Sequence, residues 1–198
     1  MLVGIIFIKK LPKPGILILL LVITASIPQL ARGLIDSKKV QYIFYNINIP
    51  IEITILYLFF KPHIITRLRS KVLSICYYGS LLFGIFLLFY HHSFSHFLNE
   101  WVCVNYIFFT GWVLMLLLEI YDRDEVPLHS RLPLFWFILG LFSYCCCTAL
   151  VFSLWNYIRL NENTLLVNLW IVHDSFNILM YIFFSYGFMR YNRKIDIK

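Results

Sequence analysis

The sequence predicts an all-α, polytopic transmembrane helical bundle, and three observations support this prediction. Of the 198 residues, 61% are hydrophobic and only 14% are charged, whereas a soluble domain carries about a quarter charged residues. A domain of this size exposes too much surface to hide such an excess in a core. Long apolar runs alternate with short polar loops. Residues 1–198 are therefore predicted to form a single integral membrane domain.

Each predicted helix corresponds to one apolar run. A helix needs about 20 mostly apolar residues to cross a bilayer. Six runs come close to that length: 14–32, 41–60, 72–91, 101–120, 132–154 and 165–188. Short loops separate them, so consecutive helices are expected to run up and down in a compact bundle of six full helices.

The extreme N-terminus predicts part of a seventh helix. The segment "MLVGIIFI" has eight residues, which would cover only about 12 Å of helix and cannot span a bilayer. It leads directly into the basic, proline-marked turn "KKLPKPG". This order indicates a truncated helix, a seven-helix pattern and a true start further upstream. The alternative is a signal peptide formed by the lysines and "ILILLLVITAS"; against it, the apolar run continues past Ser26.

The basic residues predict the orientation. The formal net charge is +7, but Lys and Arg occur in short clusters between apolar runs, so nucleic acid is not a predicted partner. When the loops are assigned alternately to two sides, one side holds only four of the 17 Lys and Arg residues: Arg32, Lys38, Lys39 and Arg159. By the positive-inside rule, the other side, which includes the C-terminus, is cytoplasmic.

No catalytic or metal-binding motif is recognisable. The triplet Cys145 to Cys147 lies in an apolar run, and consecutive helical residues point about 100° apart, so the three thiols cannot converge on one ion. Nucleophile–base motifs, glycine-rich phosphate loops and HExxH are missing from the sequence. No metal or cofactor is therefore predicted, and enzymatic activity is left open, because membrane hydrolases can carry His and Glu within helices. The mixed-sign segment "EIYDRDE", which begins at Glu119, is interpreted as a solvated cytoplasmic helix end.

Polar side chains inside two apolar runs predict a network at depth. Glu52 lies about 11 residues from the outer end of its run, and Asn177 about 12 from the outer end of the last run. At about 1.5 Å per residue both lie roughly 17 Å deep, with His173 one turn shallower on the face of Asn177. An ionised glutamate near the bilayer centre costs about 2.5–3.5 kcal/mol, so Glu52 should face the bundle interior. The prediction is a Glu52–His173 hydrogen bond or ion pair, completed by Asn177.

Further residues extend this predicted ligand-binding or polar network. Asp174 points about 100° away from His173 and is expected to face another helix, and Asn46 shares the run of Glu52. Pro50 precedes Glu52 by two residues and frees a backbone carbonyl one turn earlier, as in kinked helices that line cavities. A polar clasp between two helices, worth about 1 kcal/mol, is the alternative to a ligand or proton site. The sequence leaves both open.

Four stretches carry a resemblance to a known family: "KLPKPGILILLL", "YNINIPIEITILYLFF", "LPLFWFILGLFSY" and "LWIVHDSFNILMY". Over most of its length the chain resembles small, uncharacterised multi-helix inner-membrane proteins of Gram-negative bacteria. The resemblance implies a fold, an inner-membrane location and a complete helix before the first stretch, but no activity. It also implies recurring positions at Tyr45, Glu52, Phe135, Trp136, Tyr144, His173 and Asn177, and thereby adds Tyr144 to the network. Asn48, Asp174 and the cysteine triplet depart from the family pattern.

Three functions are compatible with these features. The leading prediction is a non-enzymatic sensory or accessory membrane module, because the short loops leave no room for an effector domain and output must pass through a signalling partner or a homo-oligomer. The alternative is a small transporter or proton-coupled carrier with an intramembrane Glu52–His173 pair, although the chain lacks the repeats common in transporters. The third is a membrane-embedded enzyme with His173 as general base, for which no nucleophile is apparent.

Overall fold

A computed structural model describes residues 11, 13–91, 96–122, 133–161 and 163–195. Nearly all of these residues belong to six α-helices: α1 (Lys13–Leu34), α2 (Lys38–Phe60), α3 (Arg67–His91), α4 (Asn99–Tyr121), α5 (Pro133–Asn161) and α6 (Asn163–Ile195). No strand occurs among them. The all-α prediction is confirmed, and each of the six apolar runs coincides with one helix. The predicted seventh helix falls on residues 1–8, outside the described residues.

The helices have the length and surface of membrane spans. Five of those described are long and apolar enough to cross a bilayer: Lys13–Ala31, Lys38–Phe60, Arg67–His91, Asn99–Tyr121 and Pro133–Leu154. Large apolar side chains such as Leu82, Phe86 and Leu150 are exposed, whereas Ser80 and Asn105 are buried. This inside-out distribution suits lipid and would be unfavourable in water. The chain is a multi-pass membrane protein; that α6 also spans stays a prediction.

The helices pack into two groups, the α1–α2 pair and the α4–α5–α6 layer. The closest pairs are α5 with α6, α4 with α5, and α1 with α2, and α3 packs more lightly against α4 and α2. Buried aromatic rings fill the interior, among them Phe59, Phe109, Trp112, Phe137 and Phe184. The α1–α2 pair thus lies on one side and the α4–α5–α6 layer on the other.

Two glycines allow side chains of neighbouring helices to pack against the backbone. A Cβ atom at Gly187 of α6 would lie 2.7 Å from Cε1 of Phe137 of α5. A Cβ atom at Gly84 of α3 would overlap the ring of Trp101 of α4. Small residues at such crossings are typical of membrane helices, which associate through close packing.

Candidate functional site: a polar cavity among five helices

A cavity of about 540 Å³ lies between the α1–α2 pair and the α4–α5–α6 layer. Because it draws on the C-terminal half of α1 and the N-terminal half of α4, it lies toward the end of the bundle that carries Leu34, Lys38 and Asn99. Apolar side chains form most of its walls. Its polar lining consists of Gln29, Tyr45, Asn48, Glu52, Asn105, Tyr106, Tyr144, His173, Asp174, Asn177 and Tyr181.

Four side chains from four helices form a continuous row along this cavity. The Tyr106 hydroxyl of α4 donates a hydrogen bond to Oε1 of Glu52 of α2 at 3.1 Å. The same hydroxyl lies 3.5 Å from the Tyr144 hydroxyl of α5. The Tyr144 ring lies 5.5 Å, centroid to centroid, from the imidazole of His173 of α6. We call Glu52, Tyr106, Tyr144 and His173 the polar row.

The structure brings most of the predicted network into this cavity. Glu52, Tyr144, His173, Asp174 and Asn177 all line it, and His173 and Asn177 are buried. Nδ1 of His173 lies 3.5 Å from Oδ1 of Asp174, whose side chain is 69% exposed. The Glu52 carboxylate accepts its hydrogen bond from the Tyr106 hydroxyl. A direct contact between Glu52 and His173 stays a prediction.

Asn46, the remaining member of the predicted network, contacts the segment that leads into α4. It is buried but does not line the cavity. Its Nδ2 donates to the carbonyl of His96 at 2.6 Å, and its Oδ1 accepts the backbone N–H of Leu98 at 3.3 Å. Because these bonds fasten the segment that leads into α4, Asn46 holds the bundle together at that end.

Two cavity residues of α4, Asn105 and Tyr106, were missed by sequence reasoning. Asn105 is 2% exposed. Its Oδ1 accepts a hydrogen bond from the Ser80 hydroxyl, which in turn accepts one from Nε1 of Trp101 at 3.1 Å. Its Nδ2 has no hydrogen-bond partner among the described residues. A signal was available, since Asn105 is an amide inside the apolar run 101–120, and such side chains form hydrogen bonds between membrane helices.

The interpretation of Glu119 as part of a solvated helix end is wrong. Glu119 is 5% exposed. Its Oε1 accepts the backbone N–H groups of Ile65 and Thr66 at 3.2 and 3.1 Å, and its Oε2 pairs with Arg69 at 3.1 Å. The physical reason is that Ile65 and Thr66 immediately precede α3, where backbone N–H groups lack intrahelical partners and the N-terminus of the helix attracts a carboxylate. Asp122, which binds Arg69 at 2.6 Å, is the exposed member of this cluster.

No protein-family model, curated protein or solved structure matches the chain. The resemblance to inner-membrane proteins of Gram-negative bacteria therefore stays a prediction from the sequence. Among the described residues, no group of three His, Cys, Asp or Glu side chains is placed to hold a metal ion.

Proposed function

We propose that this protein is a sensory or accessory membrane module that binds a small, partly apolar molecule in its cavity and signals through a partner. The observation that supports the proposal is the cavity itself. Its volume of about 540 Å³ falls within the roughly 300–1,000 Å³ of typical ligand sites, which combine apolar walls with a few polar groups. A polar clasp between packed helices would require no such space.

The position of the cavity suggests how occupancy reaches a partner. A ligand there touches α1 and α2 on one side and α4, α5 and α6 on the other, so binding favours one relative position of the two groups. Only residues 35–37 separate α1 from α2. A connection of that length holds no effector domain, and in this proposal the output passes to another membrane protein or to a second copy of the chain.

A substitution that fills the cavity tests the binding step. Ala25 of α1 lines the cavity, whereas Leu20 of the same helix is exposed on the outer surface. Small molecules extracted from purified wild type, Ala25→Phe and Leu20→Phe would be compared by mass spectrometry. We expect a compound retained by wild type and Leu20→Phe and reduced about fivefold or more in Ala25→Phe, since overpacking costs at least about 1 kcal/mol. Equal recovery from all three proteins would refute the proposal.

The signalling step has its own test. Glu52 lines the cavity and is the carboxylate of the polar row, so Glu52→Gln should alter the output of the partner while leaving the amount of protein in the membrane unchanged. Intact output from this variant would count against a sensory role.

The polar row favours a second candidate, a proton-coupled carrier. The Tyr106 hydroxyl lies 3.1 Å from the Glu52 carboxylate and 3.5 Å from the Tyr144 hydroxyl. Intramembrane carboxylates with nearby histidines occur in proton relays. Protein in liposomes loaded with a pH-sensitive dye should then show proton flux that His173→Ala abolishes. Absence of flux in the wild type would remove this candidate.

We also infer an inner-membrane location, on the basis of the family resemblance alone, and a cytoplasmic C-terminus, on the basis of the Lys and Arg distribution between the loops. Reporter proteins fused after Lys198 test the orientation in a bacterial host. A green fluorescent protein should fluoresce there and an alkaline phosphatase should be inactive. The opposite pattern would reverse the orientation.

A further inference from the structure

We infer that the cavity opens sideways between α1 and α6 and takes its ligand from the lipid phase. The ligand class is a neutral, single-chain amphiphile whose head carries both a hydrogen-bond donor and an acceptor, such as a hydroxyl or a primary amide. This inference rests on the proposed function, because it names the ligand class and the entry route of the same cavity.

The opening follows from how α1 and α6 are arranged. Both helices line the cavity, yet among the described residues they are not a pair that packs closely: α1 packs along α2, and α6 packs along α5. Gln29 of α1 and Asp174 and Ile178 of α6 line the cavity while their side chains are exposed on the outer surface. Side chains that border both the cavity and the exterior mark a mouth.

The mouth faces lipid at the level of α6. Asp174 and Ile178 lie 11 and 15 residues beyond Asn163, which corresponds to about 16 and 22 Å along the helix. Most of the other exposed side chains around the mouth on α6 are apolar, with Ile171 60% and Ile182 58% accessible, and the exposed Ser175 hydroxyl donates to the carbonyl of Ile171 at 2.8 Å. A ligand that enters here comes out of the hydrocarbon region and needs an apolar tail.

The head is defined by two groups deeper in the cavity. The Glu52 carboxylate accepts hydrogen bonds and favours a donor on the ligand. Asn105 also lines the cavity and offers the opposite chemistry, because the Ser80 hydroxyl already binds its Oδ1 and its Nδ2 is the group that still needs a partner. That buried N–H has no partner among the described residues, and leaving it so costs about 1–3 kcal/mol, which an acceptor on the ligand would recover. A hydroxyl or amide satisfies both groups, whereas an ammonium satisfies Glu52 alone.

A photoreactive monoacylglycerol with a diazirine in its acyl chain tests the inference on the full chain in nanodiscs. Crosslinked peptides identified by mass spectrometry should come from the cavity-facing parts of α1 and α6. Asn105→Leu should weaken labelling about fivefold, as expected for one lost hydrogen bond. A long-chain monoacylglycerol should compete, whereas glycerol acetate, which has the same head in water-soluble form, should not.

The mouth itself is tested by a pair of substitutions on the outer face of α6. Ile178→Trp narrows the mouth and should slow labelling severalfold. Ile182→Trp is the matched control, since Ile182 is similarly exposed at 58% but does not line the cavity, and its labelling rate should equal that of wild type. Both positions lie on the surface, so this comparison holds even if Asn105→Leu does not fold.

The outcomes separate this inference from the proposed function. If glycerol acetate competes as well as the long-chain compound, or if both tryptophan variants behave alike, entry from lipid is wrong while binding in the cavity stands. If a long-chain amine competes better than the monoacylglycerol, the assignment of the head is wrong. If the cavity helices are not labelled in the wild type and Ala25→Phe retains every extracted compound, both the inference and the proposed function fail.

Discussion

The hydroxyl of Tyr106 on α4 donates a hydrogen bond to the carboxylate of Glu52 on α2 at 3.1 Å. This bond joins the α1–α2 pair to the α4–α5–α6 layer at the cavity. An acid inside a membrane bundle is expected to have a polar partner on a neighbouring helix, and here that partner is Tyr106 of α4. Glu52 thus contributes both to the packing of the bundle and to the lining of its cavity.

Removing the hydroxyl of Tyr106 should weaken the bundle modestly. Hydrogen bonds between membrane helices contribute about 0.6 kcal/mol on average, so Tyr106→Phe should lower the free energy of unfolding by roughly that amount, measured by denaturation in mixed micelles. Tyr144→Phe is the matched control, since its hydroxyl lies 3.5 Å from that of Tyr106 and its loss should have a smaller effect. Equal losses in the two variants would contradict the assigned bond.

The buried carboxylate of Glu119 should contribute much more to stability. Glu119→Ala leaves two backbone N–H groups and part of the Arg69 guanidinium without their acceptor. Because Arg69 is 23% exposed, we expect a loss of about 2 kcal/mol, below the 3–5 kcal/mol of a fully buried pair. Asp122→Asn alters the exposed partner of the same arginine and should cost no more than about 1 kcal/mol. A reversed order of the two unfolding energies would show that the cluster is misassigned.

The contact between Gly84 and Trp101 should make an alanine substitution at Gly84 destabilising, whereas the same substitution at Gly79 of α3 should be tolerated. A methyl group at position 84 would overlap the indole, whereas nothing lies within 4 Å of one at Gly79. Gly84→Ala should therefore destabilise the protein by about 1–3 kcal/mol, and Gly79→Ala should be neutral or slightly stabilising because alanine favours a helix. Thermal midpoints in detergent provide the comparison. Tolerance of Gly84→Ala would contradict the close crossing of α3 and α4.

Substitutions at two asparagines of α2 should affect different properties, the stability of the fold at Asn46 and the binding of ligand at Asn48. Asn46 bonds to the backbone of His96 and Leu98, whereas Asn48 lines the cavity. Asn46→Ala should lower the free energy of unfolding by about 1–3 kcal/mol, since it leaves the buried N–H of Leu98 and the part-buried carbonyl of His96 without this partner. It should leave the affinity of the folded protein unchanged. Asn48→Ala should show the opposite pattern when unfolding and ligand retention are measured on the same preparations. If Asn46→Ala lost the ligand and Asn48→Ala retained it, the binding site would lie closer to the start of α4 than the cavity does.

The sequence predicted the helices and the depth of the main polar residues because the bilayer restricts both. A spanning helix needs a certain length, and its constant rise converts residue counts into depth. Glu52, His173 and Asn177 were placed at similar depth in this way, and all three line one cavity. Depth carries no information on which helices are neighbours. For this reason Tyr106, which contacts Glu52, was missed, and Glu119 was taken for a solvated residue before the start of α3 was seen beside it.

The Ser80 hydroxyl has a consequence for selectivity. None of the residues that line the cavity belongs to α3, yet Ser80 of that helix determines which end of the Asn105 amide is occupied. Without this hydroxyl the amide is free to rotate by half a turn and offer an oxygen where it now offers hydrogens. Changes in what the protein recognises can therefore arise from inherited variation at a position that never meets the bound compound.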